Sequence, residues 1–192
     1  MAAARPPGVE LRAKGHGLSD VGRKRQSNED AFFLDDRVGL YVVADGMGGH
    51  AAGEVASQEA VETIYGMVKS GVGSLGSLVD PLDENEVRKA SRLMESSVQA
   101  ATYMVYSMAE LDRGKSGMGT TISAMLVHGA YAVTAQVGDS RIYRVVGDTV
   151  EQLTEDHTLI AWQLKQGLIT PAEAKTSPHR NVITRAVGNR DY

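Results

Sequence analysis

The chain is 192 residues long, enough for one domain with a substantial core, and carries a formal net charge of −4. That balance excludes the basic excess with which proteins neutralise nucleic-acid phosphates. With no cysteine present, disulfides, thiolate zinc sites and thiol nucleophiles are excluded together, so any metal must be held by oxygen or imidazole.

Residues 1–8 read as a disordered tail, and no apolar run has the length of a signal peptide or a bilayer span. The expectation is a cytoplasmic protein that engages neither nucleic acid nor membrane. Val9, Leu11 and Ala13 then alternate with Glu10, Arg12 and Lys14, the period of a half-buried strand. AFFLDD and GLYVVAD, on either side of Arg37-Val38, predict a hairpin. From Gly53 the period changes, and Val61, Ile64, Tyr65 and Val68 share one face of a helix.

The Gly/Ser-rich run SGVGSLGSLVDP, residues 70–81, predicts a loop. A second helix is predicted from Glu84 to Leu111, where Val87, Ala90, Met94, Val98, Ala101, Val105 and Met108 form an unbroken apolar stripe. That stripe is core packing, and its methionines are filler rather than ligands. TTISAMLV, YAVTAQV, RIYRVV and TVEQL follow, separated by short turns, and predict an antiparallel meander. In the last stretch Asp156 is a candidate cap for a helix holding Leu159, Ile160 and Leu164, with Gly167 ending it. Thr170, Pro171 and Glu173 predict a second short helix with a capping box. Strands in consecutive runs, with two helices between the runs, point to α+β layering rather than a doubly wound parallel sheet.

The stretch VVADGMGGHAAGEVAS, residues 42–57, is open to two readings. Gly46-Met47-Gly48 with Ala51 has the spacing of a dinucleotide-binding turn, but the second parallel strand and its ribose-binding acid are missing. Alternatively Asp45 holds a metal and the glycines let the chain turn away. Arg25, Glu29 and Asp30 in RQSNED, and Asp139 in VGDSR, favour the second reading. Carboxylates gathered at one place repel by about 4 kcal/mol at 4 Å and a dielectric of 20, so such a cluster calls for a hard cation, Mg²⁺ or Mn²⁺. Each piece also has an ordinary reading. Gly147-Asp148 repeats the Gly-Asp pair of Asp139 as a plain hairpin turn, and Glu29, Asp30 and Arg25 could be solvated surface charges. His50 reads as a polar residue at a helix start, and His16, His128, His157 and His179 as structural.

The ordered set is more specific than its parts. SDVGRKRQSNEDA, VVADGMGGHAAGEVAS, GMGTTISAML, VGDSRIYR, LTEDHTL and PHRNVITRAVG, from Leu18 to Asn189, resemble a bacterial metal-dependent protein phosphatase of type 2C. The resemblance implies two antiparallel sheets packed as a sandwich and flanked by antiparallel helix pairs, in one catalytic domain over residues 9–192, with a lid or flap at 154–185. It implies hydrolysis of phosphoserine and phosphothreonine on proteins, the products of a Ser/Thr kinase, by a monomer with a binuclear Mg²⁺ or Mn²⁺ centre. Asp45 would bridge the two metals, and Gly46 would offer its carbonyl to one. Glu29 and Asp30 would hold metal-bound waters, Arg25 would grip the substrate phosphate, and Asp139 would bind a third metal.

Two departures from the family pattern stand out. Met47 occupies the place where many eukaryotic members carry a histidine proposed as general acid, so protonation of the leaving group is expected to fall to metal-bound water. The family also continues past Arg-Ala-Val-Gly to an Asp-Gly and an Asp-Asn that complete the metal ligands, whereas this chain stops at Tyr192. A truncated chain lacking the last strands is the expectation. The alternatives are an inactive fragment and a catalytically dead relative that binds phosphoproteins or acts as a scaffold.

Overall fold

The structure, a computed structural model, describes residues 13–48, 52–76, 78 and 83–189. The proposed tail and most of the strand expected at Val9 to Lys14 lie outside those residues, and Ala13 and Lys14 are not in a strand. The predicted hairpin forms as β1 (Asp30–Asp35) and β2 (Leu40–Met47). Asp35 shapes its turn by accepting the N–H groups of Arg37 and Val38, and Gly39 supplies the positive φ, +77°, that closes it.

Two helices follow, α1 (Ala52–Gly71) and α2 (Glu84–Leu111), packed on each other. Helix α1 runs two residues into the run expected to be a loop, and Val72–Ser74 continues it as a 3₁₀ turn. Asp83 caps α2 by accepting the N–H of Asn85 at 2.8 Å. Beyond them lie β3 (Gly119–Thr120), β4 (Ile122–His128), β5 (Tyr131–Val137), β6 (Tyr143–Val146) and β7 (Thr149–Gln152).

The fold is α+β with two antiparallel sheets. The larger has the order β1-β2-β4-β5, with β3 also paired to β2. Strands β3 and β4 share one register against β2, so they are a single strand interrupted at Thr121. Leu40, Val42, Ala44, Ile122, Ala124 and Leu126 point to the helix side and are buried there. Ala52, Ala56 and Ala60 of α1, all buried, let that helix lie close, while Ile64, Met94, Val98 and Val105 complete the core. Fully burying a side chain such as Leu40 or Ile64 contributes about 1.5–3 kcal/mol.

The meander expectation needs one correction, because β5 does not continue into β6. Gly138, at φ +101°, turns the chain out of the sheet, and β6 with β7 forms a separate two-stranded sheet whose eight residues are all exposed. The β4–β5 ladder ends at the Ile122–Val137 pair, and just beyond it Ser140 O accepts the Ser123 hydroxyl at 2.8 Å.

Helices α3 (Leu159–Lys165) and α4 (Pro171–Thr176) follow, and the described chain then runs on to Asn189. Thr158 caps α3, not Asp156, whose carboxylate is taken by a two-point pairing with the Arg141 guanidinium. Gly167 ends α3 with φ +68°, and Thr170 and Glu173 form the capping box at α4 as expected. The two ends of this segment are tied together: Leu159 N–H donates to Val182 O at 2.9 Å and Thr184 N–H to His157 O at 2.8 Å. Between the ties α3 buries no side chain and α4 only Ala174.

Candidate active site

The site begins with strand register. In the β1–β2 hairpin Asp30 lies directly opposite Asp45, so two carboxylates stand side by side on the sheet face away from the helices. Like charges in that position are destabilising unless something neutralises them. Loss of hydration raises the pKa of Asp45 above its ordinary value, and the charge of Asp30 and a hydrogen bond with it raise it further. Arg25 pulls the other way, and Asp139 adds a further upward push. Hence the charges of Asp30, Arg25 and Asp139, drawn from three separate stretches of the chain with Asp45, all act on Asp45.

The backbone of Asp45 is fixed from β4. Its N–H donates to Thr121 Oγ1 at 3.1 Å, and its carbonyl accepts Thr121 N–H at 2.9 Å. The same Thr121 hydroxyl meets Ser140 Oγ at 2.7 Å, which fastens the turn carrying Asp139 to the strand carrying Asp45. A Cβ at Gly138 would stand 2.6 Å from Thr121 Cγ2, so that turn needs glycine for space as well as for its positive φ.

Glu29 works through its backbone as well as its side chain. Its carbonyl accepts Gly46 N–H at 3.1 Å and the Ser57 hydroxyl at 2.6 Å, linking β2 to the first turns of α1. Gly46 and Gly53 meet at this junction, and a Cβ on Gly46 would lie 2.1 Å from Gly53 O. The glycine after Asp45 is therefore required by the close approach of strand and helix. Arg25 is largely exposed and lies 3.9 Å from Glu29, with its guanidinium available to solvent.

Every acid singled out in the sequence thus falls in one region. Among the described residues, however, no three His, Asp or Glu side chains converge as a finished metal cage. His50 lies outside the described residues, and Asp148 sits in the exposed β6–β7 turn, away from the acids that act on Asp45. Sequence reasoning missed Thr121, Ser123, Ser140 and Ser57. The pair Thr120-Thr121 at a strand start and the serine after Gly138-Asp139 were the available signals, but their partners appear only with the register. It also passed over His157, whose Nδ1 accepts Gly138 N–H at 3.2 Å. Burial and the nearby Arg185 charge hold the His157 imidazole below its ordinary pKa, against the opposing charges of Glu155 and Asp156.

The family model for Protein phosphatase 2C matches residues 21–174. The chain belongs to the protein phosphatase 2C family. Protein phosphatase PhpP of Streptococcus pneumoniae is 36% identical over 177 residues, covering 91% of this chain and 67% of that protein. The serine/threonine phosphatase of S. agalactiae superposes with a TM-score of 0.74 at 32% identity, covering 90% of this chain and 68% of that one. The catalytic domain of serine/threonine protein phosphatase PstP, solved with two manganese ions, gives 0.66 at 29% identity over 96% of this chain and 66% of that one. The chain spans about two thirds of the length of these relatives. The family's named members here are serine/threonine protein phosphatases.

The donor set fits a hard divalent cation of the kind found in that relative. All candidate donors are oxygens, and Asp45 carries more negative charge around it than one arginine offsets.

Proposed function

We propose that this protein hydrolyses phosphoserine and phosphothreonine on proteins at a Mg²⁺ or Mn²⁺ centre built on Asp45. The observation that carries this reading is the register pairing of Asp30 with Asp45, under the added charge of Asp139 and beside Arg25. Such a cluster is costly for a fold to keep unless a cation belongs there.

Asp45 and the Gly46 carbonyl would hold the metal, with Asp139 available to a further ion and Glu29 and Asp30 orienting water around them. Ions bound there supply a water acidified toward neutrality and charge to offset the phosphoryl oxygens. The protein's own residues do the positioning. Arg25 presents a planar fork to two phosphate oxygens from an exposed place where a large phosphoprotein can reach it. Thr121 and Ser140 keep Asp45 and Asp139 at fixed separation, and the junction of Gly46 with Gly53 keeps Asp45 at the end of its strand. Met47 holds no proton to give, and no side-chain nucleophile is required.

The same reading takes the protein to be a cytoplasmic monomer acting on the products of a Ser/Thr kinase, with residues 154–185 as a lid that selects among them. No helix among the described residues is long and apolar enough to cross a membrane. Turnover of a phosphothreonine peptide with Mn²⁺, with excess EDTA, and by Asp45→Asn tests the proposal. Chelation and the substitution should each abolish turnover while the circular dichroism spectrum is kept, and sustained hydrolysis in EDTA would refute the assignment.

A further inference from the structure

His157 sits where the segment 154–185 leaves the β6–β7 hairpin, and its contacts are more particular than those of a filler histidine. Its Nδ1 accepts Gly138 N–H at 3.2 Å, while its own backbone N–H donates to Gly138 O at 2.9 Å. Its carbonyl accepts Thr184 N–H at 2.8 Å, and the next residue, Thr158, bridges to Ile183. One residue therefore touches both the turn before Asp139 and the returning end of the segment. Gly138 is gripped from the other side by Thr121, which also holds Asp45.

We infer that His157 is a positioning residue, which fixes the turn that aims Asp139 at Asp45 and couples it to the base of the 154–185 segment. The inference rests on the reading of Asp139 as part of the site. It goes beyond that reading in assigning a role to a residue that touches none of the acids. The geometry demands a particular state of the ring. Only a neutral imidazole with its proton on Nε2 offers Nδ1 as an acceptor. An aliphatic side chain of similar bulk would fill the space and keep the backbone tie to Gly138 O, but leave Gly138 N–H without its partner and loosen the turn on that side. Displacement of a site group by about 1 Å can cost on the order of 100-fold in rate. A residue acting through Gly138 thus matters to the chemistry without meeting the substrate.

The test uses the ¹⁵N-labelled 192-residue chain and does not depend on turnover alone. The wild-type His157 ring should show the Nε2–H tautomer, and the Gly138 amide should be protected from exchange. In His157→Leu that amide should exchange about five-fold faster or more, with Asp139 and Ser140 resonances shifted and the β4 amides unchanged. His157→Asn, whose Oδ1 reaches a place close to that of Nδ1, should restore protection. Unchanged protection in His157→Leu, or an Nδ1–H tautomer in the wild type, would overturn the inference. If the leucine variant does not fold, the wild-type tautomer and the asparagine variant decide the matter. Turnover supplies a second readout: His157→Leu should lower kcat more than it changes KM, and should add little to the loss caused by Asp139→Ala. Fully additive losses would overturn the coupling. Full turnover by Asp139→Ala would instead remove Asp139 from the chemistry, and with it the functional half of the inference, while the exchange data still judge the hold on the turn.

Discussion

Replacing Gly46 with alanine should unsettle the protein far more than one methyl group ordinarily does. The added Cβ would stand 2.1 Å from Gly53 O and 2.5 Å from Glu29 O, whereas ordinary contact begins at 3.4 Å. Both obstacles are backbone, so no side chain can rotate aside, and the end of β2 must part from the start of α1 by about 1.3 Å. Overpacking of this kind costs roughly 1–3 kcal/mol. Separation also stretches the Gly46 N–H bond to Glu29 O, worth about 1 kcal/mol more. A loss of ~3 kcal/mol in a domain of this size lowers Tm by roughly 6–12 °C. Gly66 is the control: it lies in α1, the helix Gly46 packs against, is exposed, and has nothing within 4 Å of its own Cβ position. Gly66→Ala should raise stability by about 0.5–1 kcal/mol through helix propensity alone. Urea unfolding of both variants, followed by circular dichroism, reads the difference. Equal stability of Gly46→Ala and the wild type, or shifts of the same sign in both variants, would refute the steric argument.

Two further outcomes follow from the site and the 154–185 segment. Because the folded state raises the Asp45 pKa, this group's contribution to stability is fully present below the ordinary carboxylate value of 3.8 and is lost as pH climbs through the raised one. Asp45→Asn should flatten that loss and melt higher than the wild type at neutral pH in EDTA, while losing stabilisation by Mn²⁺; parallel melting-temperature profiles would refute the charge argument. Amides of α3 and α4 should exchange well before those of β5, since α3 buries no side chain and α4 only Ala174, and equal protection would rule out a lid.

Much of this architecture was legible in the residues. The stripe from Val87 to Met108 marked out α2 because its apolar spacing is unbroken, and the structure adds the capping Asp83. Thr170, Pro171 and Glu173 likewise placed α4, since a capping box is local chemistry that needs no tertiary partner. Asp156 misled for the opposite reason: its carboxylate is drawn to Arg141, fifteen residues away along the chain, and Thr158 takes the cap instead. The meander reading failed at Gly138 for a similar reason, because a glycine between two strand-like runs signals a turn but not where the chain goes next. At the site, the acids could be recognised by type and order. The hydroxyls that set their spacing could not, because Thr121 and Ser140 look like any other polar residues until β2 and β4 are in register.

That register carries a consequence for how this sequence can vary. Side chains along a strand alternate between faces, so a slip of one residue turns every one of them over. Asp30 and Asp45 meet because the four residues from Asp36 to Gly39 span the hairpin at its present length. Deleting one of those four would leave Asp30, Asp45 and Asp139 in the sequence, yet it would press Asp45 toward the helices or unzip the pair. The length of a surface turn with no chemistry of its own is thus as restrictive as the identity of Asp45, and insertions tolerated in other loops have no place there.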